Sequence, residues 1–307
     1  MKILITGADG MLGNTLCNYI GRKYPEHHII KTNRNTMDII DFESVMGCIK
    51  QTNPDVVIHC AAMTNVDLCE SKPDLAFEIN HIGTDNIAVA CHSYNARMIY
   101  ISTDYVFSGD KKYSYIEDDK TDPMTIYGKS KLAGEQSIKE TCNNYCIIRT
   151  GWLYGPTGKN FVRTMLSLML DKDHPLYDAN KPIKVVNDQV GNPTSTDALV
   201  DALIPFLDNT FVGTAHLTCE GKASWFDFAE EIKDTIHSDA TIIPCSTAEF
   251  PRPAPRPQNS RLFKGTLNIL GMPPMPEWQD ALEDFFLRYD LKSLVDWYKP
   301  ENSNLKG

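Results

Sequence analysis

A chain of 307 residues with 42% hydrophobic and 23% charged residues can bury a full core, as two domains or one large α/β domain, which excludes a fibrous repeat or long disorder. Forty acidic against thirty basic residues leave a net charge of −10, so the overall field repels nucleic acid and anionic membranes, and an anionic ligand must be held by a local cluster of cations. Nine cysteines with no C-x-x-C pair exclude the usual zinc patterns and read as the reduced thiols of a cytoplasmic protein. The opening Met1–Gly7 reaches glycine too soon for a secretory leader, and no apolar run approaches the ~20 residues of a membrane span, so a soluble protein is expected.

Lys2 to Thr6 is a short Ile-rich run with the pattern of a buried parallel strand. Gly7, Gly10 and Gly13 follow at once with G-x-x-G-x-x-G spacing, opening a helical pattern at Leu12, Leu16, Tyr19 and Ile20. Glycines there let the backbone turn tightly and approach a pyrophosphate, which sits on the helix N-terminus. His28 to Thr32 reads as a second strand, delivering Asn33-Arg34-Asn35 to the place where an adenosine ribose is met. An arginine there accommodates a 2′-phosphate, so Arg34 tilts the cofactor towards NADPH with NADH possible; it also reads as a solvated loop residue. Asp41 is placed to cap a helix over Phe42 to Gln51.

Asp55 to His59 is a third strand, running into the small residues Cys60-Ala61-Ala62 before Met63-Thr64. A helix is expected from Leu75 to Tyr94, carrying Asn80. Met98 to Ser102 is a fourth strand delivering Thr103-Asp104-Tyr105 to the same carboxyl edge. A polar loop, Gly109 to Pro123, precedes a helix carrying Tyr127 and Lys131, and Tyr145 to Arg149 is a fifth strand. This alternation predicts a Rossmann-type, doubly wound parallel sheet whose ligands lie beyond the strand carboxyl ends.

Past Arg149 the rhythm is irregular. Helices are expected at Asn160–Leu170, Thr194–Leu207, Ser224–Ile236 and Glu277–Tyr289, with strands at Ile183–Val186, Thr214–Thr218 and Thr241–Pro244. Phe250 to Pro257 carries too many prolines for helix or central strand. The domains expected are a NAD(P)-binding domain over 1–150, with 183–208 returning to it, and a smaller mixed substrate-binding domain over 151–182 and 209–307.

Tyr127 and Lys131 are four apart, so on a helix they share a face. The bland reading is a surface pair on an amphipathic helix. The chemical reading is a proton donor: a neighbouring ammonium favours phenolate, and a depression of about three units from the ordinary pKa of about 10 is worth roughly 4 kcal/mol.

The glycine turn, Asn80, Thr103, Tyr127 and Lys131 come in the order and approximate spacing of the extended short-chain dehydrogenase/reductase superfamily. More closely, Thr103–Phe107, Tyr127–Glu135, Arg149–Gly155, Asp188–Thr194 and Arg256–Leu262 resemble the dTDP-4-dehydrorhamnose reductase family. The resemblance implies NAD(P)H-dependent reduction of the C4 ketone of a nucleotide-linked 4-keto-6-deoxyhexose, with Tyr127 as proton donor, Lys131 serving the phenol and the nicotinamide ribose, and Thr103 donating to the ketone oxygen. It implies cofactor contacts from Gly7, Gly10, Met11, Leu12, Gly13, Arg34, Asp38, Ile39, Ala61, Ala62, Thr64, Tyr127 and Lys131. Substrate contacts would come from Thr103, Asp104, Tyr105, Trp152, Asn160, Arg163 and Arg256. Asn80 matches a position that can support a proton-relay water, or it bonds backbone within its own helix; Trp152 lies under the hexose or fills core.

Gly151 stands where that family often has serine, and the family's acidic intermolecular metal-site residues have no counterpart, so no metal is assigned and the chain is read as a monomer or homodimer. Related readings are a reductase for a UDP-, GDP- or CDP-linked sugar, or a non-catalytic NADP-binding regulatory subunit similar to the beta subunit of methionine adenosyltransferase. Arg252, Arg256, Arg261 and Lys264 form a run with no acidic residue between them. They suit the substrate diphosphate, with Lys159 and Arg163 as second candidates; the alternative is a proline-rich connector.

Overall fold

The computed structural model describes residues 1–171, 178 and 181–295. Five strands alternate with helices through the first half: β1 (Lys2–Thr6), β2 (His28–Lys31), β3 (Val56–His59), β4 (Arg97–Thr103) and β5 (Tyr145–Thr150). All pair in parallel, in the spatial order β5-β4-β3-β1-β2, and the strand Gly213–His216 adds a sixth beside β5. The order reverses between β1 and β3, opening there the crevice in which ligands of such sheets lie.

Each strand is apolar on both faces because both are covered. Leu4, Val57, Met98 and Ile147 enter one core layer; Ile3, Ile5, Val56, Ile58, Ile99, Cys146 and Ile148 enter the other. That is the period-2 alternation of a pleated strand, written entirely in apolar residues. Helix α1 (Met11–Lys23) covers one face together with the helix Thr196–Leu203, and the hydroxyl of Thr15 donates to that of Thr196 at 3.1 Å. On the other face lie α2 (Phe42–Thr52), α3 (Val66–Ser71), α4 (Pro73–Phe77), α5 (Gly83–Ser93) and α6 (Ile126–Thr141). Asp41 caps α2 as expected, accepting from the backbone N–H groups of Glu43 and Ser44. No helix among the described residues is long and apolar enough to cross a membrane.

The single helix expected over Leu75–Tyr94 is three pieces: α4, a π turn at Glu78–Ile82, and α5. The wider turn shifts Asn80 relative to a straight α-helix, a distortion that local propensity does not encode. Thr194 and Ser195 are a short strand rather than helix, and Ser195 caps the helix Thr196–Leu203. Pro205 then tightens the chain into a 3₁₀ turn at Ile204–Phe206.

The sheet also redraws the expected domain boundary. Gly213–His216, placed with the second half, is a strand of the central sheet, whereas Ile183–Val186 pairs with Ile242–Cys245 away from it. Parallel pairs between register partners 67 and 59 residues apart leave no local pattern. Helix α7 (Phe161–Leu170) and the helices Trp225–Thr235 and Trp278–Arg288 complete the second half. Of the ranges 151–182 and 209–307, residues 172–177, 179–180 and 296–307 lie outside the described residues.

Candidate active site

The glycine turn sits at the sheet's switch point. Gly7 has φ of +62°, and a Cβ there would stand 2.9 Å from the Ala61 backbone; one at Gly13 would stand 2.2 Å from the Gly7 carbonyl oxygen. No side chain caps the N-terminus of α1. A turn in which side chains are sterically refused, ending on an uncapped helix N-terminus, fits the pyrophosphate of a dinucleotide. Thr6 orders its other wall by accepting from the backbone N–H groups of Cys60 and Ala61 at 3.1 and 3.0 Å.

Several assigned cofactor residues contribute less than their side chains suggest. Leu12 and Ile39 are buried in the core, leaving their backbones as the available groups. Arg34 is largely exposed, 4.0 Å from Asp38, while Asp38 caps the Ile40 N–H. Asn33 donates to Asp9 at 2.8 Å, tying the adenosine-side loop to the glycine turn.

Helix α6 is capped by Thr125, whose hydroxyl accepts from the Gly128 N–H at 3.0 Å. It presents Tyr127, Lys131 and Glu135 at successive turns. The Tyr127 phenol lies edge-on to Tyr105 at 5.7 Å, and Tyr105 lines the cleft described below. The expected depression of its pKa is absent. Burial pushes the phenol well above its ordinary value, contact with the Thr103 hydroxyl opposes this, and the Asp104 carboxylate adds to it. Lys131, 2% exposed, is itself driven by burial down to about 7, against the attraction of Glu135. Desolvation is the largest influence on each because both groups are enclosed.

The Thr103 hydroxyl donates to Asp104 Oδ1 at 2.9 Å and accepts from the Tyr105 N–H at 3.2 Å. Burial raises the Asp104 carboxyl to about 6, opposed by Ser260 and Thr103. A Cβ at Gly151 would stand 2.5 Å from Asp104 Oδ2, so a side chain there requires that carboxylate to shift.

The Asn80 side chain does not bond the backbone of its own helix. Its amide accepts from the Met63 N–H at 2.7 Å and donates to the Met63 carbonyl and to Ser130 Oγ, clamping the loop after β3 to α6. Trp152, at φ +51°, is stacked on Trp225 with centroids 3.5 Å apart and donates to Ser260 at 3.1 Å. Trp225, not Trp152, lines the cleft. Asn160 caps α7 and donates to the Gly155 carbonyl, and Arg163 donates to the carbonyls of Gly158, Ser293 and Leu294.

The cleft has a volume of about 740 Å³ and runs from Met11 and Thr64 past Tyr105 to Phe161 and Trp225. Its charged walls are Lys159, Lys184, Arg252 and Arg256 against Asp67. Of the expected basic run, Arg252 and Arg256 reach it. Arg261 is bound to Asn259 and the Lys112 carbonyl, and Lys264 is ion-paired with Glu220 at 2.8 Å, because each helps hold the segment in place. Arg256 donates to Asp67 at 2.9 Å.

Sequence reasoning missed the group one turn beyond Tyr127 and Lys131. Glu135, fully buried, accepts from Arg149 Nε at 2.9 Å, Arg149 Nη2 at 2.7 Å and Ser102 Oγ at 2.6 Å. The available signal was its i, i+4 spacing from Lys131.

The profile of the family described as "RmlD substrate binding domain" matches residues 1–291. The Bacillus subtilis "Spore coat polysaccharide biosynthesis protein SpsK" is 38% identical, covering 92% of this chain and 96% of that protein. A dTDP-4-dehydrorhamnose reductase of Mycolicibacterium smegmatis is 38% identical over 92% of this chain and 84% of its own. The crystal structure of Bacillus anthracis dTDP-4-dehydrorhamnose reductase in complex with NADP superimposes with a TM-score of 0.89 at 39% identity, covering 94% of this chain and 99% of that one. With the glycine cradle, the Tyr127–Lys131 helix and this agreement along nearly the whole described length, the chain belongs to the dTDP-4-dehydrorhamnose reductase family.

Proposed function

We propose that this protein is an NADPH-dependent oxidoreductase that converts dTDP-4-dehydro-L-rhamnose to dTDP-L-rhamnose. The observation that carries the reading is one of placement. Tyr127 packs edge-on against Tyr105, which lines a cleft whose charged walls are predominantly cationic in a protein of net charge −10, and Asn80 ties the Tyr127–Lys131 helix to the loop after β3, whose Ala61 backbone faces the glycine turn. Lys159, Lys184, Arg252 and Arg256 suit a nucleoside diphosphate carrier, and Gly7, Gly10 and Gly13 with the first turn of α1 would hold the cofactor.

A bound nicotinamide would supply hydride to the C4 carbon. The chain's task is the proton. Tyr127 is kept as the neutral phenol, the form a reductase needs, and delivers its Oη proton to the developing alkoxide. Lys131, one turn along, stabilises the phenolate left behind and returns a proton to it. Asn80 and Ser130 fix the helix on which both sit. The intact Thr103, Tyr127 and Lys131 favour catalysis over a purely cofactor-binding role.

The test is a panel of 4-keto-6-deoxy sugar nucleotides on dTDP, UDP, GDP and CDP carriers, assayed for NADPH and NADH oxidation with the product's C4 configuration determined. Turnover of the dTDP-linked L-sugar is expected. No oxidation with any member refutes the reading, and preference for another carrier refutes its substrate. The panel includes other dTDP-linked ketones because a relative 34% identical is named a "Probable dTDP-4,6-dihydroxy-2-methyloxan-3-one 4-ketoreductase".

A further inference from the structure

We propose that Tyr100 is the positioning residue of Lys131: its ring seats the ammonium, and His59, locked in one neutral tautomer, backs that ring. The inference rests on the reading that Lys131 serves the reductase site.

Thr6, His59 and Tyr100 are direct register partners across β1, β3 and β4. Lys131 Nζ lies 4.0 Å from the centre of the Tyr100 ring, inside the range of a cation–π contact. His59 stacks on the same ring, with centroids 5.6 Å apart and planes 23° apart. The Tyr100 hydroxyl donates to the Lys131 carbonyl at 3.3 Å, so the residue holds both the backbone and the charge of Lys131. Gly134 makes this possible, since a Cβ there would stand 2.7 Å from both the Tyr100 hydroxyl and the Asn80 carbonyl oxygen.

Hydrogen-bond accounting fixes the His59 tautomer. Thr6 Oγ1 already accepts two backbone N–H groups, so its own proton goes to His59 Nδ1 at 2.7 Å. Thr84 Oγ1 donates to the Asn80 carbonyl at 2.8 Å, so it accepts from His59 Nε2–H at 3.1 Å. A hydroxyl has one proton to give, and both are assigned. The imidazole is therefore neutral with its proton on Nε2, in accord with burial pulling its pKa down to about 3.

That neutrality matters because a second cation would stand beside Lys131. The other titratable groups near the ammonium are Glu135 and Tyr127 on its own helix, the Tyr100 phenol on β4, raised by burial, and the Cys60 thiol at the end of β3, pushed up to about 12. The π turn and α5 contribute Asn80 and Thr84, which do not titrate. Glu135 and the Tyr100 ring are thus the groups that favour the charged form, and Glu135 is already shared with Arg149 and Ser102.

The experiment is an NMR titration of the Lys131 Cε resonance in the free protein, assigned by its loss in Lys131→Met. Wild type is expected to titrate near 7. Tyr100→Leu removes the ring and is expected to lower the midpoint by about 0.5–1.5 pH units, while Tyr100→Phe, which keeps the ring, leaves it nearly in place. Ring-fluorinated phenylalanines at position 100, which preserve packing but weaken the ring's negative face, are expected to lower it stepwise. The His59 ring nitrogens are expected to show the Nε2–H tautomer with no titration from about pH 5 to 9.

A midpoint that stays or rises in Tyr100→Leu and ignores fluorination overturns the seat, and a His59 that titrates in that range overturns the lock. Because these readouts need no turnover, they separate the two readings. An active reductase whose Lys131 midpoint ignores the ring refutes this inference alone. A ring-dependent midpoint in a protein that reduces no 4-keto sugar refutes the reductase reading alone.

Discussion

Replacing Lys131 by methionine is expected to make the protein more stable while removing its activity. The two side chains are similar in length, and methionine places an apolar group where an ammonium is now enclosed. Burial brings that ammonium from an ordinary pKa of 10.5 down to about 7, a difference of about 3.5 units that corresponds to a cost of about 5 kcal/mol for the charged form in the folded state. The unfolded chain therefore binds more protons than the folded one between about pH 7 and 10.5, and wild-type stability rises with pH across that window. Below 7 both states are protonated and the folded state bears the whole cost; above 10.5 neither is, and the cost vanishes.

Lys131→Met lacks this titration, so its advantage over wild type is greatest below pH 7, several kcal/mol with about 5 as the ceiling, and shrinks by about 1.4 kcal/mol per unit above it. Urea unfolding of both proteins at a series of pH values between 6 and 9, followed by fluorescence and circular dichroism to check coincident transitions, measures the gap directly. It should narrow by roughly 2–3 kcal/mol over that range. A gap constant to within about 0.5 kcal/mol, or a methionine variant less stable than wild type at pH 6, would refute the argument that the catalytic lysine is held against its solvation. A stability gain with lost turnover is what a strained functional group predicts.

Tyr127→Phe should lower kcat by about 10²–10⁴-fold with NADPH affinity nearly unchanged, measured by turnover and by fluorescence titration; more than half of wild-type activity would remove the proton-donor role. Glu135→Gln should cost about 3–5 kcal/mol in urea unfolding, because it leaves the Arg149 guanidinium, 2% exposed, without its counter-charge. Glu135→Leu combined with Arg149→Met should recover most of that loss, and failure to recover it would mean the pair is worth more than its burial costs. Arg256→Ala should raise KM for the sugar nucleotide about tenfold, the lower end for a charge-assisted hydrogen bond, since the arginine gives up Asp67 to bind a diphosphate. A KM within twofold of wild type would leave Arg256 as a tie between loops. Arg34→Ala should weaken NADPH binding while sparing NADH; equal effects would show that this exposed side chain does not meet a 2′-phosphate.

Five strands of the central sheet were legible because their signals are local. β1, β3 and β5 are continuous apolar runs, and a strand covered on both faces must be written that way. The glycine turn is legible for a related reason, since Gly7 and Gly13 occupy positions where a Cβ meets backbone within 2.9 Å. Tyr127 and Lys131 follow from helical spacing alone.

What the residues then do to one another was decided by the tertiary structure. The sequence places an ammonium next to a phenol and suggests that the charge lowers the phenol's pKa; enclosure raises it instead, because the cost of desolvating the phenolate is the largest influence on that group, as the cost of desolvating the ammonium is on Lys131. Trp152, Asn160 and Arg163 have the chemistry of ligand-binding groups, yet a stacked Trp225, a helix end and a set of backbone carbonyls claim them first. Arg261 and Lys264 belong to the same cationic run as Arg256 but are spent on holding the loop. Residue type and spacing determine which groups arrive at the carboxyl edge of the sheet. Which of them remain free to meet a ligand, and in which protonation state, depends on partners and burial set by segments as distant as β1 and β4, and that information exists once the chain has closed on itself.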